Sequence, residues 1–136
     1  MRSSRCSKHD RRRGVKNPNL RRSFGNAFAG LWAVWRTQRN ARIEVSIALA
    51  VVALGLFLRV GALEWVVLTL TIGLVLTAEC LNTVVEAIVD LVSPDYHHLA
   101  KVAKDASAGA VLLLSILSII IGLLILGPPL VQRLLP

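Results

Sequence analysis

ALEWVVLTLTIGLVLTAECLNTVVEAIVDLV, residues Ala62–Val92, is the stretch whose reading decides the fold. From Ala62 to Leu81 it is an apolar run that begins with Glu64 and Trp65 at an interface, and it is long enough to cross a ~30 Å hydrocarbon core as a helix. The helical register carries on to Val92, and Pro94 ends it. Glu79, Asn82, Glu86 and Asp90 are spaced by three, four and four residues, so a helix places them on one face within about 80° of one another. A carboxylate in hydrocarbon costs about 2.5–3.5 kcal/mol even on the lenient insertion scale, so three in line need a reason. Emergence into water accounts for Asp90 and in part for Glu86. It does not account for Glu79, which sits among Leu76, Ala78, Cys80 and Leu81. At 1.5 Å per residue Glu79 lies about 26 Å from Ala62, near the inner edge of the core. The acidic face therefore straddles an interface.

On either side of this stretch the chain repeats the membrane pattern. Ile43 to Val60 has Glu44 and Arg59 as its only charges and predicts a first span over 43–60, with Gly61 making a tight turn into the second, 62–92. Ala106 to Leu126 is free of charge and is followed by Gly127, Pro128 and Pro129, which predicts a third span over 106–126 and its stop. Before the spans, Leu20, Phe24, Phe28, Leu31 and Trp35 fall in one arc of about 80° on a helix. An amphipathic surface helix is expected over about 20–40, lying in the headgroup layer, packed on the bundle, or both. The expected fold is all-α and in one unit: three transmembrane helices plus an N-terminal interfacial amphipathic helix.

The 136 residues include 16 Lys and Arg against 8 Asp and Glu, a formal net charge of +8. Nine of the basic residues precede position 23, which invites a nucleic-acid reading, but a basic tail beside membrane spans is what the positive-inside rule produces. Fourteen basic residues fall on the side of the amino terminus and of the 92–106 connection, against Arg59 and Arg133 on the other. A cytoplasmic amino terminus is expected, with residues 1–19 a disordered basic extension. The tail holds no apolar h-region of a signal peptide, although its Arg-rich, acid-poor composition is shared with organellar transit peptides. Cys6 in the tail and Cys80 in an apolar helix are not expected to pair.

An acidic face at an interface suits chemistry between a lipid headgroup and a water-soluble partner. The connection to the third span adds Lys101, Lys104 and Asp105. Carboxylates can hold magnesium and lysines can hold phosphate oxygens, although lysines at a helix end also snorkel without any function. No GxxxxGK[ST] loop occurs, so a nucleotide site would be built without one. His97 and His98 have no matching ligand at metal spacing and read as a solvated loop.

The sequence from Glu79 to Asp90, with the Leu-Ala-Lys-Val-Ala-Lys-Asp-Ala-Ser-Ala-Gly-Ala-Val of residues 99–111, resembles the prokaryotic diacylglycerol kinase and undecaprenol kinase family. The resemblance runs over about residues 20–127 and includes Ser23 to Leu31 and Arg42. It implies a homotrimer in the cell membrane that uses ATP and magnesium to phosphorylate a lipid alcohol. By motif, Glu79 resembles the general base on the lipid hydroxyl and Glu86 a magnesium ligand. Asn82 and Lys104 resemble contacts to the transferring phosphate, Asp90 and Asp105 the nucleotide side, and Arg42 and Glu44 substrate or supporting positions. Where the family presents a second acidic metal ligand this chain has Gln38, an uncharged amide, so metal affinity is expected to be lower or to lean on Glu44. The loop of His97 and His98 is similar to the undecaprenol branch and Glu44 is not, which leaves the acceptor open between diacylglycerol and undecaprenol. A reading from another class is a cation or proton transport subunit whose path follows the acidic face. The acids reach only halfway along the span.

Overall fold

In the computed structural model, residues 20–135 are described. The basic segment 1–19, for which a disordered extension is expected, lies outside the described residues with Cys6 and Pro136. Four helices follow one another: α1 (Leu20–Thr37), α2 (Arg39–Leu58), α3 (Ala62–Val92) and α4 (His98–Leu134). The last three are each long and apolar enough to cross a membrane. α3 packs most extensively against α4, and α2 lies against both. α1 buries none of its residues. Its arc of Leu20, Phe24, Phe28 and Leu31 stays uncovered by the bundle, and Trp32 joins it by stacking on Trp35 with centroids 4.9 Å apart.

Few apolar side chains are buried, which is what a chain solvated by hydrocarbon allows: packing, not exclusion from water, holds its helices together. The tightest cluster is Leu58, Leu68 and Leu126, with Leu54 and Leu130 against it. It lies at the end of the bundle far from Glu79. Gly55 is buried beside it because a Cβ there would sit 3.0 Å from the Trp65 ring.

Five boundaries differ from the expectation, each for a physical reason. The surface helix ends at Thr37 and not near 40, because Gln38 is extended (φ −93°, ψ 121°) and serves as the cap of α2. α2 therefore starts at Arg39, four residues before the apolar run. The turn after it is made by Arg59, in the left-handed region (φ 55°, ψ 46°), while Gly61 has φ −73°. Val60 N–H donates to Gly55 O and Arg59 N–H to Leu56 O, the paired bonds of a Schellman closure. Gly61 answers a different need: a Cβ there would lie 2.6 Å from the Glu64 carboxylate turned back over it.

The largest difference is in α4. It begins at His98, so Lys101, Lys104 and Asp105 stand on its first turns and not in a loop. His97 caps it, its Nδ1 accepting from Leu99 N–H at 3.2 Å. The helix also runs through Pro128 and Pro129 to Leu134. A proline's φ is already helical; the two together remove the donors that the Leu124 and Ile125 carbonyls would meet and bring their rings against those carbonyls. Beyond them Leu130 packs on the apolar cluster, and Arg133 donates to Phe57 O at 3.2 Å while lying 4.7 Å over the Phe57 ring.

Candidate active site

The acidic face of α3 grades from buried to wet as its sequence position dictates. Glu79 is 2% exposed and Asn82 6%, Glu86 is half-buried, and the Asp90 side chain is 67% exposed. The buried end of this face meets the amino-terminal turn of α2. Ala41, 5% exposed, brings its backbone amide into that turn. That amide is one of the first-turn donors left without a partner inside a helix, and such a turn favours negative charge. Glu79 Oε2 is nevertheless buried with no hydrogen-bond partner, as is Glu44 Oε2 on the next turn of α2.

Two turns further along α3, a relay of polar groups joins three helices. Ser107 Oγ of α4 donates to Asn82 Oδ1 at 2.7 Å, Asn82 Nδ2 donates to Glu86 Oε1 at 3.2 Å, and Gln38 Nε2 donates to Glu86 Oε2 at 3.1 Å. Both oxygens of Glu86 are thus held by amides. A half-turn of the Gln38 amide would present its oxygen instead of its nitrogen to Glu86. Glu86 and Gln38 would then offer oxygen donors of the kind magnesium takes beside phosphate oxygens and water. No group of three His, Cys, Asp or Glu at metal-binding spacing occurs among the described residues; magnesium does not require one when phosphates complete its shell.

Lys104 stands across from this network and pairs with Asp90. Asp105 pairs with Lys101 on an exposed face of α4. The fold therefore brings together Gln38, Asn82, Glu86, Asp90 and Lys104, and sets Glu79 with Glu44 one level deeper. The Arg42 side chain is exposed and has no hydrogen-bond partner among the described residues; its carbonyl accepts from Ser46 Oγ at 2.8 Å. Sequence reasoning missed Ser107 as part of the site. The signal was available, since it lies three residues after Lys104 and so on the same side of a helix.

Beneath the carboxylates, toward the middle of the bundle, α2, α3 and α4 enclose a cavity of about 270 Å³. Ile47, Val51, Ile72, Val75 and Ile119 line it, and Glu44 is its one ionisable group. Thr71 and Ser118 turn their hydroxyls onto their own helices, to Val67 O and Ser115 O. The arrangement is an apolar chamber with the Glu44 carboxylate in its wall, Glu79 buried nearby, and an acid, amide and lysine cluster above them.

Residues 25–126 match the family model of prokaryotic diacylglycerol kinase. The chain belongs to that family. Lipid kinase is the enzyme class that membership carries. Among relatives of this prokaryotic diacylglycerol kinase family member, the undecaprenol kinase of Bacillus subtilis is 43% identical over 109 residues, covering 80% of this chain and 89% of its own. The diacylglycerol kinase of Synechocystis sp. is 47% identical over 116 residues, 85% of this chain and 66% of its own. The diacylglycerol kinase of Escherichia coli K12 is 34% identical over 99 residues, 73% and 81% of the two chains.

Proposed function

We propose that this protein transfers the terminal phosphate of ATP to the hydroxyl of a membrane lipid alcohol, diacylglycerol or undecaprenol, at the cytoplasmic face of the cell membrane. The observation that carries the reading is Glu79: a carboxylate 2% exposed, with one oxygen buried and unpartnered, one turn along α3 from Val75 and Leu76 of the apolar chamber and one turn before Asn82 of the polar cluster. A hydroxyl entering from the chamber would satisfy that oxygen by donating to it. Glu79 then accepts the hydroxyl proton as the lipid oxygen bonds to the terminal phosphorus and the bond to the departing ADP breaks. Lys104, exchanging Asp90 for phosphate, faces the charge that develops on the transferring group. Asn82, tied by Ser107 and Glu86, keeps its second amide N–H for a phosphate oxygen.

Glu86 and the Gln38 amide oxygen would hold magnesium. When bound, it supplies neutralisation of phosphate charge and alignment of the transferring group. Asp90 and Asp105 flank the nucleotide side, and Arg42 and Glu44 support the substrate. Glu44, half-buried at the head of the chamber, orients the lipid. Residues 20–136 form the kinase domain, residues 1–19 extend from it on the cytoplasmic side, and three copies assemble in the membrane. The outward apolar faces of the spans leave surface for such assembly. The transport reading is disfavoured because the cavity that continues from the acidic face is apolar.

The test is phosphate transfer from labelled ATP, with magnesium, to diacylglycerol and to undecaprenol in separate mixed micelles, beside Glu79→Gln. Transfer to one lipid, lost in the variant, is the expected result. Absence of transfer to both by folded protein would overturn the reading.

A further inference from the structure

The end of the bundle opposite Glu79 holds a second pocket, of about 400 Å³, that phosphate transfer does not use. Arg59, Glu64, Leu124, Ile125, Pro128 and Pro129 line it. Glu64 is fifteen residues from Glu79 on α3, or about 22 Å along the helix, and Ile125 is about 32 Å along α4 from Lys104. The pocket therefore lies at the other membrane interface, at headgroup depth.

Its polar groups are unusual in two respects. Pro128 and Pro129 carry no N–H, so the carbonyls of Leu124 and Ile125 lose their helical donors, and both of these residues line the pocket. Carbonyls that have lost an i+4 donor beside hydrocarbon gain from another one. The second respect is charge. Among the described residues the ion pairs are Lys101–Asp105 and Lys104–Asp90, so Arg59 and Glu64 share a pocket without pairing with each other. Arg59 also holds the left-handed conformation, which costs a non-glycine residue roughly 1–2 kcal/mol.

We propose that this pocket binds the headgroup of a zwitterionic lipid bearing a phosphate and a primary ammonium, of the phosphatidylethanolamine type, from the leaflet opposite the active site. The ammonium has three donors, and the pocket offers three acceptors for them: the Glu64 carboxylate and the carbonyls of Leu124 and Ile125. The phosphate meets the guanidinium of Arg59, whose fork suits its oxygens. A choline headgroup has the same charges but no N–H. A glycerol headgroup has no cation for Glu64.

Native mass spectrometry of the full chain released from detergent tests this, with dioleoyl phosphatidylethanolamine, phosphatidylcholine and phosphatidylglycerol supplied in equal amounts. The ethanolamine lipid is expected to be retained about tenfold over the choline lipid, the value of one charge-assisted bond. Glu64→Gln should bring retention down to the choline level, and Arg59→Gln, which removes the phosphate contact that both lipids share, should lower retention of both. Pro128→Ala with Pro129→Ala, which returns the missing N–H groups, should bring ethanolamine retention down to the choline level without altering charge. Phosphate transfer by all three variants is expected to match the parent, which also reports that they are folded. Equal retention of ethanolamine and choline lipids would overturn the proposal, as would preferred retention of the glycerol lipid. A change in oligomer mass in the Arg59 and Glu64 variants, with ethanolamine retention unchanged, would show a second copy in the pocket and also overturn it.

Discussion

Gln38→Glu places a second carboxylate where an amide nitrogen now lies 3.1 Å from Glu86 Oε2. Two unit charges at that distance repel by about 5 kcal/mol at an effective dielectric of ~20. Gln38 is only half-buried, so water and side-chain movement reduce the penalty to about 1–2 kcal/mol. The lost N–H···O bond adds to it. Without divalent metal the variant should therefore melt several degrees below the parent in detergent. With metal the sign reverses, because a cation between two carboxylates gains what the pair loses alone. Affinity for manganese, read by electron paramagnetic resonance without nucleotide, is expected to rise about tenfold for each 1.4 kcal/mol recovered. Magnesium should restore the melting temperature of the variant and leave that of the parent nearly unmoved. Unchanged or weaker manganese binding, together with a melting temperature indifferent to metal, would refute the assignment of position 38 to the metal.

Glu79→Gln is expected to lower turnover by about 10²–10⁴ while leaving the melting temperature within a degree or two, since the amide keeps the volume and loses the proton acceptor; a turnover within twofold of the parent would remove Glu79 from the base role. Lys104→Gln should cost about 10²-fold in turnover, whereas Asp90→Asn should change stability by less than about 1 kcal/mol because the pair is exposed; nucleotide titrations and melting curves of the two variants separate these effects. Ser107→Ala leaves Asn82 Oδ1 without its donor and should lower kcat by about tenfold with lipid KM unchanged, measured in mixed micelles. Leu126→Ala, at a site 6% exposed, should cost about 2–4 kcal/mol in chemical or thermal unfolding and leave specific activity at low temperature intact, because the cluster it empties is remote from Glu79 and Leu126 lines neither cavity.

The spans were legible in the sequence because apolar length is sufficient to specify them, and the acidic face because spacing by three and four residues admits one geometry on a helix. The gradation from Glu79 to Asp90 followed from depth alone. Boundaries set by tertiary contacts were not legible. Nothing local forces a break at Gln38; the break is stabilised by its bond to Glu86, forty-eight residues away. Likewise the prolines read as a stop, and α4 continues past them because Arg133 and Leu130 find partners on the end of α2 and in the apolar cluster. Gly61 drew attention as the turn residue, while the left-handed position fell to Arg59, a choice that local propensity disfavours.

The break at Gln38 also bears on how the site could be controlled. One residue ends the surface helix, begins the first span, and carries the amide on Glu86. Any tilt of α1 in the headgroup layer must pass through that residue's backbone, and its side chain moves with it. The apolar arc of α1 is left uncovered by the bundle, and the relay from Gln38 through Glu86 and Asn82 to Ser107 ties Gln38 to both long spans. A cluster buried wholly within α3 and α4 would be deaf to the state of the bilayer. This one has a polar group at the junction of α1 and α2, so a movement of α1 at that junction would reach Glu86 through the Gln38 amide.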